Sequence, residues 1–180
     1  MRAVALSTAL AVVLAAPLVR ADEPAQATWQ DPNDRRAKVV ARLGAVASYR
    51  GLYDLSLYGG GLALAVGGEL PHFAVLLNAR FIDARSGGGL VSLEGNLAAS
   101  LEARLDPGFR IGGGFGGTYL RVNRATDGGA LESWGPMIFA RVGYDFGDRP
   151  NVFVLLDLEG QVQATNATPW GPTLQVGLRF

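Results

Sequence analysis

The chain has no cysteine and one histidine, His72. The first absence excludes disulfides, thiolate catalysis, a lipidated N-terminal cysteine and every cysteine-ligated zinc site. The second leaves little for general acid–base work at neutral pH. Charge is scarce too: charged residues make up 18% of the sequence, and 16 Lys+Arg are balanced by 16 Asp+Glu. A chain with no net charge lacks the basic field that a nucleic-acid partner requires. No acidic run has calcium-loop spacing, so neither a metal nor a cofactor is expected. After residue 21 there is no uninterrupted apolar run of 18 residues, which excludes a membrane-spanning helix in the rest of the chain.

What the sequence does have is glycine, 25 residues of it, and a hydrophobic fraction of 49%. Part of that fraction sits at the start, where Arg2 precedes the apolar stretch "AVALSTALAVVLAAPLV" and Val19-Arg20-Ala21 offers a cleavage site. Residues 1–21 therefore read as a secretory signal peptide. Its removal takes away Arg2 and Arg20 and leaves 14 of the 16 basic residues against 16 acidic ones, a net charge of about −2. Residues 22–37, polar and with two prolines, read as a flexible leader. The remaining 38–180 form one domain.

From Lys38 to the end the sequence alternates with a period of two, the signature of strands with unlike faces. Seven strands are clear, and each puts its apolar residues on one side, as with Val154, Leu156 and Leu158 or Ile138, Ala140 and Val142. The charged residues fall on the other side: Arg42, Arg80, Glu94, Glu102, Arg104, Arg110, Arg141, Asp145, Asp157, Glu159 and Arg179. An eighth strand, over about Leu55 to Gly67, is apolar or glycine on both faces, and its facing stays open.

Two architectures accommodate this alternation. A soluble carrier barrel turns its apolar face inward around a ligand, whereas a membrane barrel turns it outward to lipid and encloses polar groups. The aromatic residues separate them. Phe109 and Tyr119, Trp134 and Tyr144, and Trp170 and Phe180 are each ten residues apart. Ten residues of tilted strand climb roughly 25 Å, the height of a lipid-facing band, so these residues fit two interfacial girdles. The connections agree. "GELPH", "LDPG" and "GDRPN" are short and contain proline, and they alternate with the Gly-rich or polar links "DARSGGG", "VNRATDGGALE" and "ATNATP". The expected fold is all-β, an eight-stranded antiparallel up-and-down transmembrane barrel with a polar interior.

In this pattern residues 38–180 resemble the small eight-stranded outer-membrane barrels of Gram-negative bacteria, the OmpA/OmpX-like group. The resemblance implies insertion in the outer membrane after export, contact with outer-membrane lipid, and a monomer. It also implies that the last strand, with Leu174, Val176, Leu178 and Phe180, is the signal read by the outer-membrane assembly machinery. The long cell-wall-anchoring relatives carry a further domain that is not seen here.

An eight-stranded barrel has room only for its own side chains, so inward charges must pair. Folding the chain about its turns sets Arg141 opposite Asp157 with Glu159 one step along, Arg80 near Glu94, and Glu102 diagonal to Arg104 and Arg110. Inward Gly112, Gly114 and Gly116 leave room for water. The expected function is a non-catalytic envelope barrel with a salt-bridged, closed interior. The alternative is a narrow or gated pore for small solutes or ions, with an adhesive or lipid-modifying barrel behind both. Adhesion is disfavoured by the modest link at Asn123–Glu132. Lipid modification is disfavoured because His72 lies in a turn at the inner end, away from the rim where such barrels do their chemistry. "GGGFGG" at 112–117 lies in a strand with no helix after it, which rules out a phosphate loop. Asn166-Ala-Thr168 has the form of a glycosylation sequon, which carries little meaning in a bacterium.

Overall fold

The structure, a computed structural model, describes residues 37–52, 55–105, 108–124, 129–146, 151–163 and 168–180. The signal segment, the leader up to residue 36, and the tips of "LDPG", "GDRPN" and "ATNATP" lie outside the described residues. Eight strands follow in order: β1 (Lys38–Leu52), β2 (Leu55–Glu69), β3 (Phe73–Ser86), β4 (Leu90–Leu105), β5 (Phe109–Arg124), β6 (Ala130–Phe146), β7 (Val152–Gln161) and β8 (Trp170–Arg179). Each pairs antiparallel with the next, and β8 returns to β1, so the sheet closes as a barrel without edges.

The register fixes the shape. Partners traced once around the wall run Lys38, Glu69, Ala74, Glu102, Gly112, Arg141, Asp157, Thr173 and then Ser48. The path thus re-enters β1 ten residues beyond its start. A stagger of ten over eight strands tilts them by about 40° and gives a radius of about 8 Å, which side chains from opposite walls can span.

Alternation sorts the faces as the charge pattern requires. Leu156, Ile138 and Val176 point outward, at 46%, 67% and 41% exposure, while Arg141 and Asp157 beside them are buried. The ambiguous β2 turns Tyr58, Leu62, Leu64 and Val66 outward and Leu57, Ala63, Ala65 and Glu69 inward. Its many glycines carry no burial signal, so periodicity alone does not decide it.

Two expectations need correction. The strands run further than the apolar pattern indicated. β5 and β6 pair as far as Asn123–Ala130, which turns both ends of the expected Asn123–Glu132 link into ladder, while residues 125–128 lie outside the described residues. β3 likewise continues to Ser86, and Gly89 N–H closes the turn onto the Ser86 carbonyl. A backbone ladder needs no apolar side chains, so strands extend past the greasy belt into polar sequence. The interior is also not purely polar. Val46, Leu57, Ala63, Ile82 and Ala84 form one buried apolar cluster, Val40, Ala65, Ala74 and Leu76 another, and Ala98, Met137 and Phe139 a third.

Candidate functional site

The lumen holds the only dense chemistry among the described residues. Around its middle, Arg141 on β6 donates Nε and Nη2 to the two carboxylate oxygens of Asp157 on β7, at 2.6 and 2.7 Å. Its Nη1 reaches Glu102 on β4 at 2.8 Å and Asn78 Oδ1 on β3 at 3.1 Å. Glu102 also takes a two-pronged pair from Arg42 on β1, both bonds 2.9 Å long. Gln175 Nε2 completes the shell of Asp157 at 2.7 Å. Fork-to-carboxylate contacts of this kind are the strongest available to arginine.

Toward the β1–β2 hairpin, Arg50 donates to both oxygens of Glu94, at 3.2 and 3.1 Å, and to Glu159 at 2.6 Å. Gln161 and Asn96 add donors to Glu94 at 2.7 and 2.6 Å. Arg80 binds Glu159 and, at 3.2 Å, Asp157, which ties this group to the middle one. Toward the chain termini, Glu69 receives Arg104, Arg110 and Arg179, while Asp145 receives Arg110 and Arg179. Arg110 lies 3.7 Å from Glu102 and joins this third group to the middle one. Seven arginines and six carboxylates thus form one connected lattice from mouth to mouth, with the central members almost fully buried.

Aromatic side chains hold part of it in place. The Phe139 ring has the Arg141 guanidinium 4.8 Å from its centre and that of Arg80 at 5.5 Å, and Phe153 carries Arg42 at 5.8 Å. A cavity of about 10 Å³ beside Arg42, Asn78 and Gln175 is about the size of one water. The inward glycines of β5 leave no extra space. A methyl on Gly114 would sit 2.6 Å from the Phe139 ring, and one on Gly116 2.1 Å from the Leu97 carbonyl oxygen.

The structure brings Arg141 opposite Asp157 with Glu159 on the same face and sets Arg110 3.7 Å from Glu102, while Arg80 and Arg104 form their ion pairs with other carboxylates than those drawn from the sequence. Arg80 faces Asn96 across β3–β4, Glu94 faces Ile82, and Arg80 instead reaches across the lumen to β7. Arg104 bonds Glu69 at 2.9 Å. These partners come from the far wall, which hairpin geometry does not reveal. Arg50 and Glu69 were missed because each lies at a strand end that reads as a turn. Arg50 continues the even-numbered inward series of Arg42 and Ser48, the signal that identifies it.

On the outer surface Phe109 faces Tyr144, and Tyr119 packs on Trp134 with ring centres 4.8 Å apart and planes tilted by 49°, so the aromatics meet in pairs at two levels. Trp170 and Phe180 are exposed at opposite ends of the outer face of β8. Leu174, Val176 and Leu178 lie on the same face between them, and Phe180 exchanges both backbone bonds with Ala41. His72 lies exposed in the β2–β3 turn, and its carbonyl accepts Arg104 N–H at 2.7 Å.

No family model matches the sequence, and no curated protein matches it. The fold is nevertheless shared with solved barrels. The N-terminal β-barrel domain of Pseudomonas aeruginosa OprF superposes with a TM-score of 0.58 at 21% identity, covering 81% of this chain and 100% of that one. Ail, the attachment invasion locus protein of Yersinia pestis, gives 0.57 at 14% identity over 79% of this chain and 97% of its own. Neisserial surface protein A gives 0.58 at 12% over 81% and 99%. The chain therefore has the closed eight-stranded fold of the small outer-membrane barrels.

Proposed function

We propose that this protein is a monomeric integral barrel of the Gram-negative outer membrane that acts as a closed, non-catalytic element of the envelope. It is exported by the segment 1–21 and delivered to the assembly machinery by its last strand. The observation that carries the reading is the arginine–carboxylate lattice, which crosses the lumen from wall to wall among the described residues. Ions held this way resist displacement, because each arginine that let go would strand a buried carboxylate at a cost of several kcal/mol. The outward belt of Leu, Val, Ile and Phe supports burial in acyl chains, and its aromatic pairs support two interfacial levels.

Planar-bilayer recording on the refolded protein tests the closed state. The expected record has no steady conductance steps. Uniform open channels would replace this reading with that of a narrow pore.

A further inference from the structure

The seam where β1 meets β8 closes the barrel, and one of its backbone bonds cannot form. Ala41 and Phe180 exchange both N–H···O bonds, at 3.1 and 2.8 Å. In an antiparallel ladder every second pair does so, which assigns Leu43–Leu178, Ala45–Val176 and Ala47–Leu174 to the bonded class. The next bonded pair at the same offset is Tyr49 with Pro172. Proline has no N–H, so the Tyr49 carbonyl loses its ladder donor. The register breaks there: it runs continuously to Ser48–Thr173, omits two pairs, and resumes at Gly51–Trp170.

A side chain supplies the missing donor. Arg50 Nη1 reaches the Tyr49 carbonyl oxygen at 3.3 Å and Thr173 Oγ1, on the opposite side of the seam, at 2.8 Å. Its other N–H groups go to Glu94 and Glu159, so all five donors of this guanidinium are used. Gly171 makes the approach possible. Its φ is +157°, and a Cβ there would lie 2.1 Å from the same Tyr49 oxygen.

We propose that Arg50 is a latch that closes the β1–β8 seam in place of the bond proline removes, and that it couples the seam to the lumen lattice through Glu94 and Glu159. One guanidinium bridges β1 and β8 while anchored to β4 and β7. Loss of its carboxylate anchors therefore loosens the seam locally, between Tyr49 and Thr173, without opening the rest of the wall.

Amide hydrogen exchange on the refolded full barrel in lipid vesicles tests this. The seam amides of 47–51 and 170–174 are compared with those of β4 and β5. Arg50→Lys keeps the charge but has three donors on one nitrogen and cannot serve both the carbonyl and the carboxylates. The seam amides should exchange about tenfold faster in this variant, while β4–β5 stays unchanged. Pro172→Ala restores the backbone donor. It should slow seam exchange in the otherwise native chain and reverse most of the effect of R50K in the double variant. Seam amides indifferent to R50K would overturn the proposal, and so would a double variant as fast as R50K alone. Where R50K refolds poorly, Thr173→Val decides, because it keeps the side-chain shape and removes the β8 acceptor of Arg50: faster seam exchange supports the latch, and unchanged exchange overturns it.

Discussion

Arg141 and Asp157 face each other across the β6–β7 ladder and share two hydrogen bonds, yet neither is satisfied by the other alone. Arg141 extends to Glu102 and Asn78, and Asp157 receives Arg80 and Gln175. The pair and Glu102 together form the hub where the three groups of the lattice meet.

Arg141→Met should therefore do more than remove one bridge. It leaves Asp157 and Glu102 each short of a buried cation, and the expected loss is about 3–5 kcal/mol in urea unfolding from lipid vesicles. An effect below about 1 kcal/mol would mean that water compensates the site.

The outward face responds to a different solvent. Leu156→Arg, on the opposite side of β7 from Asp157, should cost about 2–4 kcal/mol in a bilayer if it lies near the midplane. Unfolding midpoints in vesicles measure this, and an unchanged midpoint would contradict burial of this face in lipid.

Crowding on the inner wall of β5 leads to a third expectation. In Gly116→Ala the new methyl would press on the Leu97 carbonyl and the Ala98 side chain, and backbone cannot swing aside as a flexible side chain would. A loss of about 1–3 kcal/mol in vesicle unfolding is expected from overpacking. Gly95→Ala on β4, where a Cβ meets nothing within 4 Å, serves as the control and should be close to neutral.

The last strand provides a test in cells. Deleting Phe180 removes the residue that exchanges two backbone bonds with Ala41, and the reading of β8 as an assembly signal expects the protein to accumulate uninserted. The fraction showing heat-modifiable gel mobility reports insertion. Full insertion of the truncated chain would remove that role from Phe180.

How far the sequence could be read depended on how local each contact is. The faces of seven strands follow from alternation, because a residue's side of the sheet is set by its own strand. The Arg141–Asp157 contact was accessible because a short turn fixes the β6–β7 register. By contrast Arg42–Glu102, Arg50–Glu94 and Arg80–Glu159 join residues 60, 44 and 79 positions apart. Such partners depend on the stagger of the whole wall and on side chains long enough to cross it. The β2 facing stayed open for a simpler reason: glycine at positions 59, 60, 61, 67 and 68 has no side chain to reveal a preference. Phe153 and Leu155 share a face with Asp157, so the charges on that face masked its apolar filling.

The ten-residue stagger also bears on how the molecule matures. Because it places sequence-distant walls opposite each other, most lattice bonds have no counterpart in any isolated hairpin. A sheet with only some strands paired would leave many of these guanidinium groups without their carboxylates. The ion pairs thus stabilise the finished cylinder far more than any fragment of it.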